Sequence, residues 1–139
     1  MIILDTNVIS EFMRVSPNPI VMDWISQQQS NNLFTTSITQ AEVYYCLALL
    51  PEGKRRNDLE SAARLMFEQD FEERILNFDS AAAVEYAALA AFRRQIGKPI
   101  SQADAQIAAI SRANRAVLAT RNIPDFCDCQ LILIDPWQE

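Results

Sequence analysis

The first seven residues, Met1-Ile2-Ile3-Leu4-Asp5-Thr6-Asn7, constrain the fold more than any other stretch. Three consecutive large aliphatics with no turn residue among them read as a strand buried on both faces. A strand of that kind belongs in a parallel sheet with helices packed on each side. It ends on a carboxylate, and an acid at the carboxyl end of a buried parallel strand lies where open α/β sheets form their ligand crevice. Asp5 is therefore the first candidate for an active-site residue.

The remaining sequence supplies the helices and further strands. Val8 to Arg14 reads as a short helix, and Asn18-Pro19 starts a second with Asn as N-cap and Pro at N1. Leu33 to Thr36 is β-prone. Thr39 opens a helix through Leu50, broken at Pro51, and another follows Gly53 to about Asp70. Arg74 to Phe78 is a brief strand or an extended link. Asp79 caps an alanine-rich helix with Val84, Ala88, Phe92 and Ile96 at every fourth position, stopped by Gly97 and Pro99. Ser101 starts a helix through about Ala113. Val117 to Thr120 and Leu131 to Ile134 complete the set as two more buried strands. Strands alternating with helices predict an α/β fold whose parallel sheet is covered on both faces. No linker or repeat divides residues 1–139, which read as a single domain.

Composition removes several kinds of chemistry. The sequence has no histidine, so no Ser-His-Asp triad, Cys-His pair or histidine general base is available. Three cysteines, Cys46 and the Cys127-Asp128-Cys129 pair, make neither a zinc framework nor a disulfide framework, and suit a reducing, cytoplasmic compartment. No apolar run reaches membrane-spanning length. The net charge of −6 opposes broad non-specific binding to nucleic acid without excluding a local basic channel. Any catalysis falls to carboxylates, which at neutral pH hold hard cations through oxygen.

Three acids share one local grammar. Asp5 closes a strand before a helix, Glu42 lies three residues after Thr39, and Asp104 three after Ser101. Thr39-Gln40-Ala41-Glu42 fits a capping box, and Ser101-Gln102-Ala103-Asp104 resembles one. Taken singly, each acid reads as a cap worth about 1 kcal/mol. Taken together, helix starts that follow strands lie on one sheet edge, where the acids would converge. Three uncompensated carboxylates in one crevice raise one another's pKa values, and a divalent cation resolves the conflict. Beyond the second clear strand, Asn122 offers a neutral oxygen ligand and Asp125 a charged one; the same residues also make ordinary turn chemistry. Glu11 and Glu85 read as solvated helix residues. Lys54-Arg55-Arg56, Arg93-Arg94 with Lys98, and Arg112, Arg115 and Arg121 read as solvent faces, with the last group best placed to meet phosphate.

Ile3-Leu4-Asp5-Thr6-Asn7-Val8-Ile9, Thr39-x-x-Glu42, Ala103-Asp104-x-x-Ile107-Ala108-Ala109, and Ala119-Thr120-Arg121-Asn122 with Asp125-Phe126 resemble the PIN domain. The start Leu-Asp-Thr-Asn-Val-Ile-Ser-Glu and the ending Asp135-Pro136-Trp137 resemble the VapC-type toxins within it. The resemblance spans essentially the whole chain and implies a three-layer α/β/α fold around a parallel sheet of four or five strands. It implies RNA endonuclease activity with Mg²⁺ or Mn²⁺, a cognate antitoxin inserted into the active-site groove, and a homodimer. It further implies a larger toxin–antitoxin complex held on operator DNA through the antitoxin. Asp5, Glu42 and Asp104 match the first three family acids. The fourth often stands at the position of Asn122, so its charge is missing here; either Asp125 compensates or a second metal binds weakly. Two rivals remain at this point. A phospho-aspartate domain also uses a strand-end Asp with Mg²⁺, but lacks here the second acid or late lysine it requires. An inert α/β interaction module would use the acids only as caps.

Overall fold

A computed structural model describes all residues from Met1 to Glu139. Five short strands, β1 (Ile2–Leu4), β2 (Leu33–Thr36), β3 (Ile75–Leu76), β4 (Val117–Ala119) and β5 (Leu133–Ile134), form one sheet in the order β3-β2-β1-β4-β5. Every pairing is parallel. The apolar opening run is thus the central strand, flanked through Ile3↔Phe34 and Ile3↔Leu118. Because successive side chains alternate across a sheet, Ile2 and Leu4 enter one core and Ile3 the other. β5 departs from the expected buried strand: it is a half-buried edge, and the neighbouring Ile132 is 70% exposed.

Seven helices cover the sheet: α1 (Thr6–Glu11), α2 (Pro19–Ser26), α3 (Ser37–Ala48), α4 (Lys54–Leu65), α5 (Ser80–Gln95), α6 (Gln102–Ala113) and the four-residue α7 (Ile123–Phe126). On one face Val8, Ile9, Val21, Trp24, Val43 and Phe67 pack around Ile2 and Leu4. On the other, α5 and α6 bury Leu89, Ile107 and Ile110 against Ile3 and Leu118. Start signals predicted at Asn18, Asp79 and Ser101 all cap, accepting from the backbone N–H of Ile20, Ala82 and Asp104 respectively. Thr39 does not cap. The cap is Thr36, whose Oγ1 accepts from Thr39 N, so α3 begins three residues early and Glu42 sits inside the helix rather than in a capping box. β2 runs directly into α3, and the last residue of the strand takes the cap.

Two further expectations change on folding. Glu11 is buried, accepting from Asn18 N at 2.9 Å and from Arg14 at 3.0 Å, which ties α1 to the start of α2. Along α5 the Val84-Ala88-Phe92-Ile96 stripe faces outward, and the packed face is Ala82, Tyr86, Leu89 and Arg93. Arg93 is therefore buried, not solvated. Gly97, at φ +76°, makes the turn that folds α6 back along α5; Arg112 near the end of α6 reaches Glu85 near the start of α5 at 2.9 Å.

Candidate active site

The carboxyl edge of the sheet collects the acids, for two different topological reasons. Asp5 and Glu42 come from the strand-to-helix passages of β1 and β2. α6 follows no strand, contrary to the sequence argument. It ends just before parallel β4, so its last turn must lie at the amino edge and its first turn, with Asp104, at the carboxyl edge. The α5–α6 hairpin thereby delivers Asp104 to the acids of β1 and β2.

Asp5 is 4% exposed and held on every side. Its Oδ1 accepts from Thr6 N at 2.8 Å, so it does cap α1. Its Oδ2 accepts from Thr120 Oγ1 at 2.7 Å and from Asn7 Nδ2 at 3.3 Å. Thr6 Oγ1 donates to Glu42 Oε1 at 2.8 Å and stands 3.1 Å from the Thr39 hydroxyl, linking the start of α1 to α3. Asn7 Oδ1 accepts from Arg121 N, and Thr120 Oγ1 accepts from Asn122 N, so the segment after β4 is hung from the same network.

The electrostatics match the crowding. Burial pushes the Asp5 carboxyl from 3.8 up to about 6, against the lowering effect of its Thr120 and Thr6 hydrogen bonds; the charges of Asp104 and Glu42 push it further up. Asp104, half-buried, is also raised, by burial first and by the charge of Asp125, while the Ser101 hydroxyl and the Arg93 guanidinium oppose the shift. Asp5 is thus affected by the charges of Asp104 and Glu42, and Asp104 by that of Asp125. The four acids do not form a finished cage, since no three Asp, Glu or Cys side chains meet closely enough to hold an ion as they stand. Glu42 is turned onto the Thr6 hydroxyl. The donor set is entirely oxygen, with carboxylates that repel one another in a low-dielectric site, and this suits a hard divalent cation.

The other residues singled out by sequence divide by position. Asn122 precedes the short α7 and Asp125 lies within it, both exposed, and the Asn122 side chain makes no cap. Arg121 is exposed beside them, its guanidinium 5.1 Å from the centre of the Trp137 ring. Arg112 is committed to Glu85, which is accordingly half-buried and paired, not freely solvated. Arg115 lies near the opposite edge, two residues before Val117, whose N–H donates to Met1 O at the start of the sheet. Neither reaches the acids. Sequence reasoning passed over Thr120 and Arg93 as site residues. A hydroxyl one residue past a buried strand, and an arginine in step with Ala82, Tyr86 and Leu89, were the available signals.

The PIN domain family model matches residues 2–127. The chain is 38% identical over 138 residues to VapC ribonuclease Y4jK of Sinorhizobium fredii, covering 99% of each protein. It is 35% identical over 139 residues to toxin FitB of Neisseria gonorrhoeae, covering 100% of each. The solved structure of FitAB bound to an IR36 DNA fragment superposes with a TM-score of 0.92 at 36% identity, over 99% of this chain and 96% of that one. With its five-stranded parallel sheet between two helical layers and its acids gathered at the carboxyl edge, the chain belongs to the PIN domain family.

Proposed function

We infer that the protein is a single-domain, cytoplasmic endoribonuclease toxin that hydrolyses RNA phosphodiester bonds with Mg²⁺ or Mn²⁺. The observation that carries this reading is the carboxylate of Asp5, buried at the end of the central strand and raised to about 6 in the company of Asp104 and Glu42. Asp5 and Asp104 would hold the principal cation, Glu42 would bind directly or through water, and Asp125 with Asn122 would complete the outer side. A cation held there supplies a bound water of lowered pKa and offsets charge on the phosphate. The protein's own part is to orient: Thr6 fixes Glu42, Thr120 and Asn7 fix Asp5, and Arg121 meets a phosphate of the RNA. Arg112, paired with Glu85, and Arg115, near the amino edge, are less suited to that role than Arg121.

Capping alone leaves this arrangement unexplained. Asp5 does cap a helix, but Glu42 does not, and a cap needs neither burial nor acidic neighbours. Asp5→Asn and Asp104→Asn test the point, because Asn caps about as well as Asp. Loss of RNA cleavage and of Mn²⁺ binding, with the fold retained, supports the nuclease; full retention of cleavage refutes it.

A cleft of ≈ 950 Å³ opens from Thr6 and Glu42 between α1, α3 and α4, with Met13, Leu47 and Leu59 along it and Arg14 and Arg55 among its charged lining residues. It supports docking of an antitoxin segment beside the active site, and the relationship to FitB, a toxin by name, supports that partner. The FitAB complex on DNA supports a larger toxin–antitoxin assembly on operator DNA. The homodimer has support on α5, where Val84 and Phe92 are 70% and 46% exposed with exposed alanines between them. An antiparallel copy centred on Ala88 sets Val84 opposite Phe92.

A further inference from the structure

Arg93 is the only buried basic residue in the molecule, and no carboxylate pairs with it. Its Nε donates to Lys98 O at 2.7 Å, and its Nη1 donates to Asp125 O and Cys127 O, each at 2.9 Å, with Cys129 Sγ 3.6 Å away. A buried cation with no carboxylate in contact is costly unless hydrogen bonds replace its hydration; here backbone carbonyls from two separate segments do so, and the charge of Asp104 acts on it only from a distance. Phe126 and Cys129 bury their side chains in the core and Asp128 pairs with Lys98 at 3.2 Å, while the carbonyls of Asp125 and Cys127 are held by Arg93. α7 has four residues and no side-chain cap, and it leads into Asp128 at φ +61° and Gln130 at φ +56°. Asp125 itself is exposed, so its own side chain does not anchor it.

We propose that Arg93 is a positioning residue for the active site: it staples the Asp125 turn to the end of α5 and so sets where the Asp125 carboxylate stands relative to Asp104. A planar guanidinium can serve diverging carbonyls from one rigid group. A lysine keeps the charge but loses that geometry. The proposal rests on the nuclease reading only for its catalytic consequence, since the stapling is a property of the free protein.

The test is a double-mutant cycle on Arg93→Lys and Asp125→Asn in the full-length chain. Three quantities are read: RNA cleavage, Mn²⁺ affinity by calorimetry, and amide hydrogen exchange over residues 122–129. Arg93→Lys is expected to exchange at least tenfold faster over 122–129 with β1 and β4 unchanged, to bind Mn²⁺ about 5- to 10-fold more weakly, and to lose cleavage mainly in kcat. In the Asp125→Asn background the same substitution should cost no further Mn²⁺ affinity. Equal losses in both backgrounds, or unaltered exchange over 122–129, would overturn the proposal. If Arg93→Lys does not fold, Arg93→Gln, which keeps two N–H donors, replaces it with hydrogen exchange over 122–129 as the sole criterion, because Gln also removes the charge that acts on Asp104. A wild-type protein that fails to cleave RNA sinks the nuclease reading, while the exchange measurement still decides the staple.

Discussion

Replacing Asp5 with Asn should make the metal-free protein more stable at alkaline pH and less stable in acid. An Asp whose carboxyl rises from 3.8 to about 6 on folding binds more protons in the native than in the unfolded state between those values. Stability must then fall as pH rises through that window, because its slope follows the excess of protons on the unfolded chain. At ~1.4 kcal/mol per pKa unit, the full loss is about 3 kcal/mol above pH 7. Asn carries no charge and escapes this loss. It does weaken the contacts at Oδ2, where Thr120 and Asn7 both donate, at a cost of about 1 kcal/mol. The net expectation in EDTA is a gain of about 2 kcal/mol at pH 8, read as roughly 5–10 °C in Tm, and a loss of about 1 kcal/mol near pH 4. Thermal unfolding of both proteins from pH 4 to 8 checks this, and other acids largely cancel in the difference. An Asp5→Asn protein no more stable than wild type at pH 8 would refute the claim that the site holds a desolvated, repelled carboxylate. Added Mn²⁺ should reverse the order, stabilising wild type by mass action and leaving the variant unmoved.

Other expectations follow from single contacts. Thr120→Val removes the 2.7 Å hydroxyl bond to Asp5 and the acceptor of Asn122 N, and should cost about 1–3 kcal/mol in urea unfolding together with most of the cleavage activity. Arg121→Ala should raise KM for RNA severalfold, whereas Arg115→Ala, at the far edge, should leave kinetics unchanged; equal effects would contradict the placement of the acids. Glu11→Ala strips a buried acceptor from Asn18 N and Arg14 and should lower stability by about 1–3 kcal/mol without changing Mn²⁺ affinity. Val84→Arg should give a monomer by sedimentation with Tm nearly unchanged; a persistent dimer would move the interface off α5.

What the sequence disclosed was whatever is encoded locally. A short, mostly β-branched aliphatic run that stops on an acid reads as a strand sealed on both faces, and so the parallel sheet and its ligand edge were readable from Ile2 to Asp5. Asn18, Asp79 and Ser101 declared helix starts because a cap is a short-range bond. Thr39 misled for the same reason: its spacing to Glu42 satisfies a capping box, and the directness of the β2–α3 passage, which gives the cap to Thr36, is a tertiary property. Glu11 and Arg93 were misread because charge suggests solvent, while Glu11 is held by Asn18 seven residues away as well as by Arg14, and Arg93 by Asp125 and Cys127, 32 and 34 residues away, as well as by Lys98.

The acids converge for a reason that reaches past any motif. Asp104 belongs to a helix that follows a helix, and the rule that helix starts after strands share an edge gives it no place there. Its position follows from the strand that comes next: β4 is parallel to β1, so the chain must enter β4 at the amino edge, and α6 must begin at the other. Direction in a parallel sheet is therefore enforced backward along the chain as well as forward. The same constraint carries Arg115 away from the acids although it is only eleven residues from Asp104, and brings Thr120, at the opposite end of β4, within 2.7 Å of Asp5. Proximity in sequence to one of the acids is a poor guide here, and the edge on which a residue leaves its strand is the better one.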